Sequence, residues 1–285
     1  MQEQNKVYKA FSEQDIDSFK PEMKIGLITT VNEAGLPHLT LISTLQACSP
    51  TEMFWGQFSE GMSKANIRKN PKTGFLIMTL DKNLWRGKAN FTRTAKAGSE
   101  YELLNNTPMF RYNAYFGIHT VYYMDLVSHT GKEALPMANV IQAAVKTMIA
   151  KTLAGKGDGK EVLNYFTHKL IDKMDNLKFL AYVDTDGYPV MIPVIQAQTA
   201  GSDRVIFASS VYSSDLKSVP VGTTAAFFCM SFEMQTVLLR GLYRGIRSIG
   251  RVKCGELVAD WVYSPMPPKS EQIYPPQKLE TVTTF

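Results

Sequence analysis

Residues 27–42, LITTVNEAGLPHLTLI, consist of two apolar runs joined by a turn that contains Gly35 and Pro37. Glycine accepts the positive φ that a tight turn requires, and proline ends a strand ladder because it has no amide hydrogen to donate. Residues 180–195, LAYVDTDGYPVMIPVI, repeat this layout with glycine and proline at the corresponding places. Both stretches therefore predict β-hairpins, and their similarity predicts a structural unit that occurs twice.

A second pair of similar segments follows the two hairpins at nearly the same separation. These segments are residues 85–89, WRGKA, and residues 239–243, LRGLY. Two matches in the same order indicate a duplication, because chance seldom supplies both. Residues 133–153 then have apolar positions at helical spacing, and the glycine-rich run 155–159 follows them. We therefore expect a first barrel domain over residues 1–154 and a second, degenerate one over residues 155–285 that ends in a proline-rich arm.

The composition is that of a globular protein with a mild positive charge. The chain has 285 residues, 45% hydrophobic and 20% charged, and a formal net charge of +5. It has no apolar run of about eighteen residues and no leader-like start, so we expect no membrane partner and a cytoplasmic location. The three cysteines and four histidines are scattered, which predicts reduced thiols and no metal site. The basic residues are also spread along the chain, which favours a small phosphorylated ligand over nucleic acid.

The first half has a regular succession of short strands. A single helical crossover is predicted at residues 63–69, where no β-branched alternation occurs and Asn70-Pro71 stops the turn. Short strands with one helical crossover predict a small antiparallel barrel. The strands are predicted at residues 25–31, 38–45, 52–58, 74–80, 86–93 and 118–127.

The loop at residues 59–71, SEGMSKANIRKNP, is the candidate phosphate site. Gly61 precedes Ser63 and Lys64 at the predicted start of a helix. Backbone amides at a helix start attract anions, a serine hydroxyl adds a donor, and a lysine adds a charge. A solvated basic turn is the alternative, and for a lone Ser-Lys pair it would be the usual interpretation. The aromatic strand before the loop favours the phosphate site.

With these segments in order, the chain resembles the pyridoxamine 5′-phosphate oxidase-like family of FMN-binding split-barrel proteins. The resemblance rests on residues 26–30 with 35–38, on residues 63–71 and on residues 85–89. It covers roughly residues 21–130, and it reaches the second half only through the repeat. The fold class that it implies is mainly β with helices, in tandem antiparallel split barrels.

The resemblance also implies FMN as the cofactor. The Ser-Lys loop would hold the phosphate, the strand after the first hairpin turn would lie along the ring, the strand before the loop would border the ribityl chain, and the segment at residues 82–85 would close the ring side. Members of the family complete each site by dimerisation, so the second barrel would replace a partner, and a homodimer is a further expectation. The implied cofactor-binding residues are Thr40, Leu41, Ile42, Trp55, Gly56, Gln57, Ser63, Lys64, Lys82, Asn83 and Trp85.

The second copy of the loop differs in charge. Residues 209–220, SSVYSSDLKSVP, have Asp215 where a phosphate would lie, and a carboxylate repels a phosphate dianion. We therefore expect at most one phosphate site in the chain, and a second barrel that is mainly structural.

The first functional hypothesis is an FMN-dependent oxidoreductase that passes hydride or electrons between a reduced small-molecule donor and a small acceptor. The flavin carries this chemistry, so no catalytic base is required, and the sequence identifies no catalytic residue. Thr40 stands where oxidases of the family often have arginine, which disfavours pyridoxamine phosphate oxidation itself. The alternatives are a non-catalytic flavin- or haem-binding module for storage or sensing, and an interaction scaffold without a cofactor.

Overall fold

The structure is a computed structural model that describes residues 7–57, 61–108, 117–155, 157, 160–265 and 271–275. The chain divides into two compact units, Met1–Leu135 with Val183–Met191, and Pro136–Tyr182 with Ile192–Phe285. The boundary predicted at residues 154/155 differs from this division, and the folding of the two halves as separate domains stays a prediction. Lys156, Asp158 and Gly159 of the predicted joint lie outside the described residues.

The first sheet is antiparallel and has eight strands in the described part of the chain. Seven of them follow the order β2-β1-β5-β6-β7-β4-β3, and β8 pairs with β6. The strands are β1 (Lys24–Val31), β2 (Pro37–Leu41), β3 (Gln46–Ala47), β4 (Glu52–Gln57), β5 (Lys72–Thr79), β6 (Asn83–Ala95), β7 (Thr120–His129) and β8 (Glu133–Ala134).

The second sheet has the same order, shifted by eight strands. It follows β10-β9-β13-β14-β15-β12-β11, and β16 pairs with β15. A mainly β fold of tandem antiparallel barrels is therefore confirmed. The strands are β9 (Leu177–Val183), β10 (Pro189–Pro193), β11 (Gln198–Ala200), β12 (Arg204–Ala208), β13 (Thr224–Met230), β14 (Thr236–Ile249), β15 (Val252–Ser264) and β16 (Glu271–Tyr274).

Six helices are described beside these sheets. The helix predicted over residues 133–153 begins only after Pro136. Proline has no amide hydrogen for the helix interior, and residues 133 and 134 before it pair with β6. Among the described residues, no helix is both long and apolar enough to cross a membrane. The helices are α1 (Glu13–Phe19), α2 (Met62–Lys69), α3 (Ser99–Asn106), α4 (Met137–Leu153), α5 (Tyr165–Asp172) and α6 (Ser213–Ser218).

Both predicted hairpins are present. In the first, Thr30 of β1 lies opposite His38 of β2, and Gly35 has a φ of 74° in the turn between them. Gly187 has a φ of 80° in the second hairpin. The tip of that second hairpin packs within the first unit, where Lys88 Nζ is 3.0 Å from Asp184 Oδ2.

The glycines of the WRG and LRG segments stand where neighbouring strands approach most closely. A Cβ on Gly87 would meet the carbonyl oxygen of Ser128 and the ring of Phe75. A Cβ on Gly241 would meet the carbonyl oxygen of Val258. Only glycine fits such an approach of two backbones, which explains why both segments have it.

The core of the first unit is aromatic, and α1 closes it. Trp55 stacks on Tyr122 with ring centroids 4.2 Å apart, and both side chains are fully buried. Ser12 begins α1 with a capping box that includes Asp15. The same Asp15 carboxylate accepts the indole N–H of Trp85 at 2.8 Å. The first helix is thereby joined to the centre of the sheet.

The proline-rich arm adds a strand to the second sheet. β16 pairs with β15, Val262 opposite Tyr274, and the strand ends before Pro275. Residues 266–270 and 276–285 of the arm lie outside the described residues.

Candidate functional site

The candidate phosphate loop leads from β4 into α2, as predicted. Gly61 is the N-cap of α2, and no side chain among the described residues caps the helix there. The first turn has no acidic residue, whereas Arg68 and Lys69 lie in the last turn. A first turn without a carboxylate favours an anion, because amide groups at a helix start point outward and the helix dipole is positive there. Residues 58–60 of the loop lie outside the described residues.

The strand β2 supplies a second hydroxyl at this helix start. Thr40 Oγ1 and Ser63 Oγ are 2.5 Å apart, so one hydroxyl donates a hydrogen bond to the other. Lys64 follows Ser63 and is buried, with 7% of its surface exposed. Thr40, Ser63 and Lys64 were all predicted to bind the cofactor, and the structure brings Thr40 and Ser63 into contact across the chain.

Two residues that the sequence did not single out hold α2 against the sheet. Asn66 Nδ2 donates to Thr30 Oγ1 at 3.0 Å, and both side chains are buried. Thr30 lies two residues from Ile28, which is opposite Thr40, so Thr30 and Thr40 face the same side of the sheet. The contact therefore fixes the register of the helix on the strands that carry Thr40. The only signal in the sequence is the asparagine within SKANIRK, one turn after Ser63.

Leu41 is the last residue of the edge strand β2, and Ile42 follows directly after it. The Ile42 amide donates to the carbonyl of Gly26 at 2.7 Å, and a Cβ on Gly26 would collide with the Ile42 carbonyl oxygen. The predicted strand extends to residue 45, but β2 ends at Leu41. Pairing with β1 stops there, because Leu41 is opposite Leu27 and the chain then turns around Gly26.

The strand before the loop is anchored by its neighbours. Thr44 Oγ1 accepts a hydrogen bond from the Gly56 amide at 2.9 Å, and a Cβ on Gly56 would meet the side chains of Ile118 and Leu104. The Trp55 side chain belongs to the aromatic core. Gln57 ends β4, and its side chain lies outside what the structure describes. That Trp55, Gly56 and Gln57 border a ribityl chain stays a prediction.

The segment predicted to close the ring side lies further along the sheet. Lys82, with a φ of 61°, and Asn83 form the turn between β5 and β6. Thr79, at the start of this turn, is opposite Lys24, four residues along β1 from Ile28. Four residues of a strand span roughly 13 Å, so this turn and the Thr40–Ser63 contact do not lie side by side.

Trp85 is occupied by core contacts. Its exposed fraction is 1%, its ring packs edge-on against Phe19 with centroids 5.0 Å apart, and its N–H is bonded to Asp15. The roles of Lys82, Asn83 and Trp85 at a cofactor therefore stay predictions, and the geometry joins none of them to the phosphate loop.

The corresponding loop of the second unit leads into the short helix α6. Its N-cap is Tyr212, with a left-handed φ of 51°, and Asp215 lies in the first turn. The Ser-Lys pair of the first loop has no equivalent at this helix start.

Comparison with known proteins yields structural neighbours only. No family model matches this sequence, and no curated protein matches it. HupZ of Group A Streptococcus is 12% identical over 42% of this chain and 92% of that chain, with a TM-score of 0.35.

Two further neighbours carry names that refer to cofactors. An FMN-binding protein from Syntrophomonas wolfei is 16% identical over 39% of this chain and 77% of that chain, with a TM-score of 0.33. An F420 reductase is 13% identical over 42% of this chain and 98% of that chain, with a TM-score of 0.34. Each likeness covers less than half of this chain.

Proposed function

We propose that the first unit binds FMN through the start of α2, and that the chain transfers hydride or electrons between a reduced donor and a small acceptor. The observation that carries the proposal is the contact between Thr40 and Ser63, which places two hydroxyl groups from different elements at an uncapped helix start. Such a start, with a buried lysine in its first turn, has the chemistry of a phosphate site.

The donors at this place fit a phosphate monoester. Hydroxyl groups and helix amides donate hydrogen bonds to phosphate oxygens, and the Lys64 ammonium adds a positive charge. No acidic residue occurs between Gly61 and Asn70. Among the described residues, Glu33 pairs with Lys69 in the last turn of the helix, so this carboxylate does not oppose an anion at the first turn.

The protein residues would hold and orient the group, and the bound flavin would supply the redox chemistry. Thr40 and Ser63 would exchange their mutual hydrogen bond for bonds to the phosphate. Asn66, through Thr30, would keep the helix start fixed on β1 while this exchange takes place.

The visible spectrum tests the binding part of the proposal. Protein purified with its cofactor is expected to show flavin absorption bands, and apo protein is expected to regain them when titrated with FMN. Bleaching by NAD(P)H under anaerobic conditions would then distinguish an oxidoreductase from a non-catalytic flavin module. A colourless protein that takes up no FMN would leave the scaffold alternative.

Removal of the loop lysine is expected to weaken FMN binding. Lys64→Ala should raise the FMN dissociation constant roughly 10- to 150-fold, because a charge-assisted hydrogen bond contributes about 1.5–3 kcal/mol. Ser63→Ala should act in the same direction. Lys69→Ala is the matched control, since it removes the same charge from the exposed end of the same helix. Equal affinities for Lys64→Ala and Lys69→Ala would place the phosphate elsewhere.

A further inference from the structure

A concave surface lies within the second unit. It is a cleft of about 630 Å³ between α4, the end of β12, the start of α6 and the β14–β15 hairpin. We call it the basic cleft, because five of its residues are cations. Its lining consists of Lys146, Ala208, Ser209, Ser210, Ser213, Lys217, Ile246, Arg247, Ser248, Arg251, Val252 and Lys253.

The charge of the basic cleft is unbalanced. Among the described residues, its lining contains five cations and no carboxylate. One cation, Arg247, has a carboxylate partner behind the lining, with Nη1 at 3.2 Å from Glu256 Oε2. That same carboxylate also pairs with Arg204. Cations gathered from four separate segments repel one another, and a bound anion would relieve that repulsion.

Asp215 is not among the residues that line the basic cleft. The sequence predicts that its carboxylate would repel a phosphate at the second loop, yet Asp215 is not part of the lining. Ser213 and Lys217, which lie on either side of Asp215 in α6, are part of the lining. The lining of the cleft is thus made of residues from α6 other than its carboxylate, which the order of residues along the chain does not show.

The floor of the basic cleft is fixed by hydrogen bonds. The carbonyl of Lys253 accepts both the amide of Ser209 at 2.9 Å and its hydroxyl at 3.1 Å. Thr147 Oγ1 of α4 accepts the amide of Ala208 at 2.9 Å. These bonds tie α4 and β15, which carry Lys146 and Lys253, to the end of β12 beneath the cleft.

We propose that the basic cleft binds a phosphorylated small molecule. Several cations and serine hydroxyls suit an anion with more than one negative charge better than a single carboxylate. A volume of about 630 Å³ lies within the range of small-molecule sites, roughly 300–1,000 Å³. Ala208, Ile246 and Val252 provide an apolar wall for the remainder of the ligand. The basic cleft is confined to one place in the second unit, whereas a nucleic-acid-binding surface is typically an extended basic stripe.

The test uses the full chain and inorganic pyrophosphate as the probe. Isothermal titration at about 0.15 M salt should show saturable binding to the wild type. Lys217→Ala combined with Arg251→Ala should weaken it at least tenfold, because two charge-assisted contacts are removed. Both side chains are exposed, so the double variant is expected to keep the fold, and its circular dichroism spectrum should match the wild type.

The matched control is Lys160→Ala combined with Lys169→Ala, two exposed lysines of the second unit outside the cleft. This variant has the same net charge and should retain pyrophosphate affinity within about twofold. Equal losses in the two double variants would show unspecific attraction and overturn the proposal. A single-stranded oligonucleotide that binds the wild type more tightly than pyrophosphate would also overturn it.

The outcome is independent of the flavin proposal. Loss of pyrophosphate binding in Lys217→Ala/Arg251→Ala with unchanged FMN affinity at the first unit would support two separate sites. Loss of FMN affinity in that variant, without any pyrophosphate binding to the wild type, would contradict the site proposed here.

Discussion

Glu133→Ala is expected to lower the free energy of unfolding of the first unit by about 3–5 kcal/mol, because it leaves a buried guanidinium without its counter-ion. Arg86 Nη2 is 3.1 Å from both carboxylate oxygens of Glu133, and Nε is 3.3 Å from Oε1. The Arg86 side chain is only 8% exposed. Its Nη1 donates to the carbonyl of Met191, so the side chain cannot turn toward water without losing that bond as well.

Urea unfolding measures this effect, and a surface pair serves as the control. Glu52→Ala breaks the pair with Arg93, whose side chain is 51% exposed, and should cost at most about 1 kcal/mol. Arg86→Met combined with Glu133→Leu should recover most of the stability lost in Glu133→Ala, because it removes the buried charge together with its partner. Similar losses in Glu133→Ala and Glu52→Ala would show that the Arg86 pair is not desolvated.

The second large effect concerns the dependence of stability on pH through Lys178. This lysine is fully buried at the start of β9, and Nζ donates to the carbonyls of Lys173 at 2.9 Å and Ile195 at 3.1 Å. Burial lowers the pKa of Lys178 from 10.5 to about 8, although Cys229 and the acidic side chains nearby act in the opposite direction. The unfolded chain therefore binds more protons than the folded chain between about pH 8 and 10.5.

The sign of the effect follows from this difference in bound protons. The free energy of unfolding rises with pH where the unfolded state holds more protons. The contribution of Lys178 should thus be flat below pH 8 and rise by roughly 3 kcal/mol up to pH 10.5. The thiols oppose it, because burial raises the pKa of Cys229 to about 12 and of Cys254 to about 11, so the unfolded chain loses those protons first.

The difference between wild type and Lys178→Met isolates the lysine, since most of the thiol contribution is common to both. Urea unfolding from pH 7 to 10.5 should show the wild type gaining stability relative to the variant. Lys173→Met, which alters an exposed lysine of the same segment, should show no such gain. A flat difference for Lys178→Met would mean that the buried ammonium keeps its ordinary proton affinity.

Local sequence rules predicted the hairpins and the helix start because their causes are local. Gly35 and Gly187 have positive φ values in the turns, and Gly61 is the N-cap of α2. The predicted helix at residues 63–69 is α2, one residue longer. β8 and α3 were missed, because the first is a two-residue strand held only by its pairing with β6 and the second has no strong apolar periodicity.

The candidate site shows where such rules end. Thr40 and Ser63 are 23 residues apart in the chain and meet only because α2 packs on β1 and β2. Trp55 and Trp85 were placed at the cofactor by resemblance, whereas the structure has both in the aromatic core. An aromatic residue in a strand can face either side of a sheet, and which side is decided by the register of the neighbouring strands.

The two Arg-Gly segments separate what the sequence by itself determined from what the tertiary structure decided. The sequence determined that positions 87 and 241 are both glycine. No other residue fits at these positions, because the backbone of a neighbouring strand approaches closely there. The arginines before them have different environments. Arg86 pairs with Glu133, whereas Arg240 lies over Trp261 at 3.7 Å, with Nε and Nη1 unbonded to any described residue. Their partners come from strands distant in sequence, and electrostatic surroundings therefore arise only when the sheets have formed.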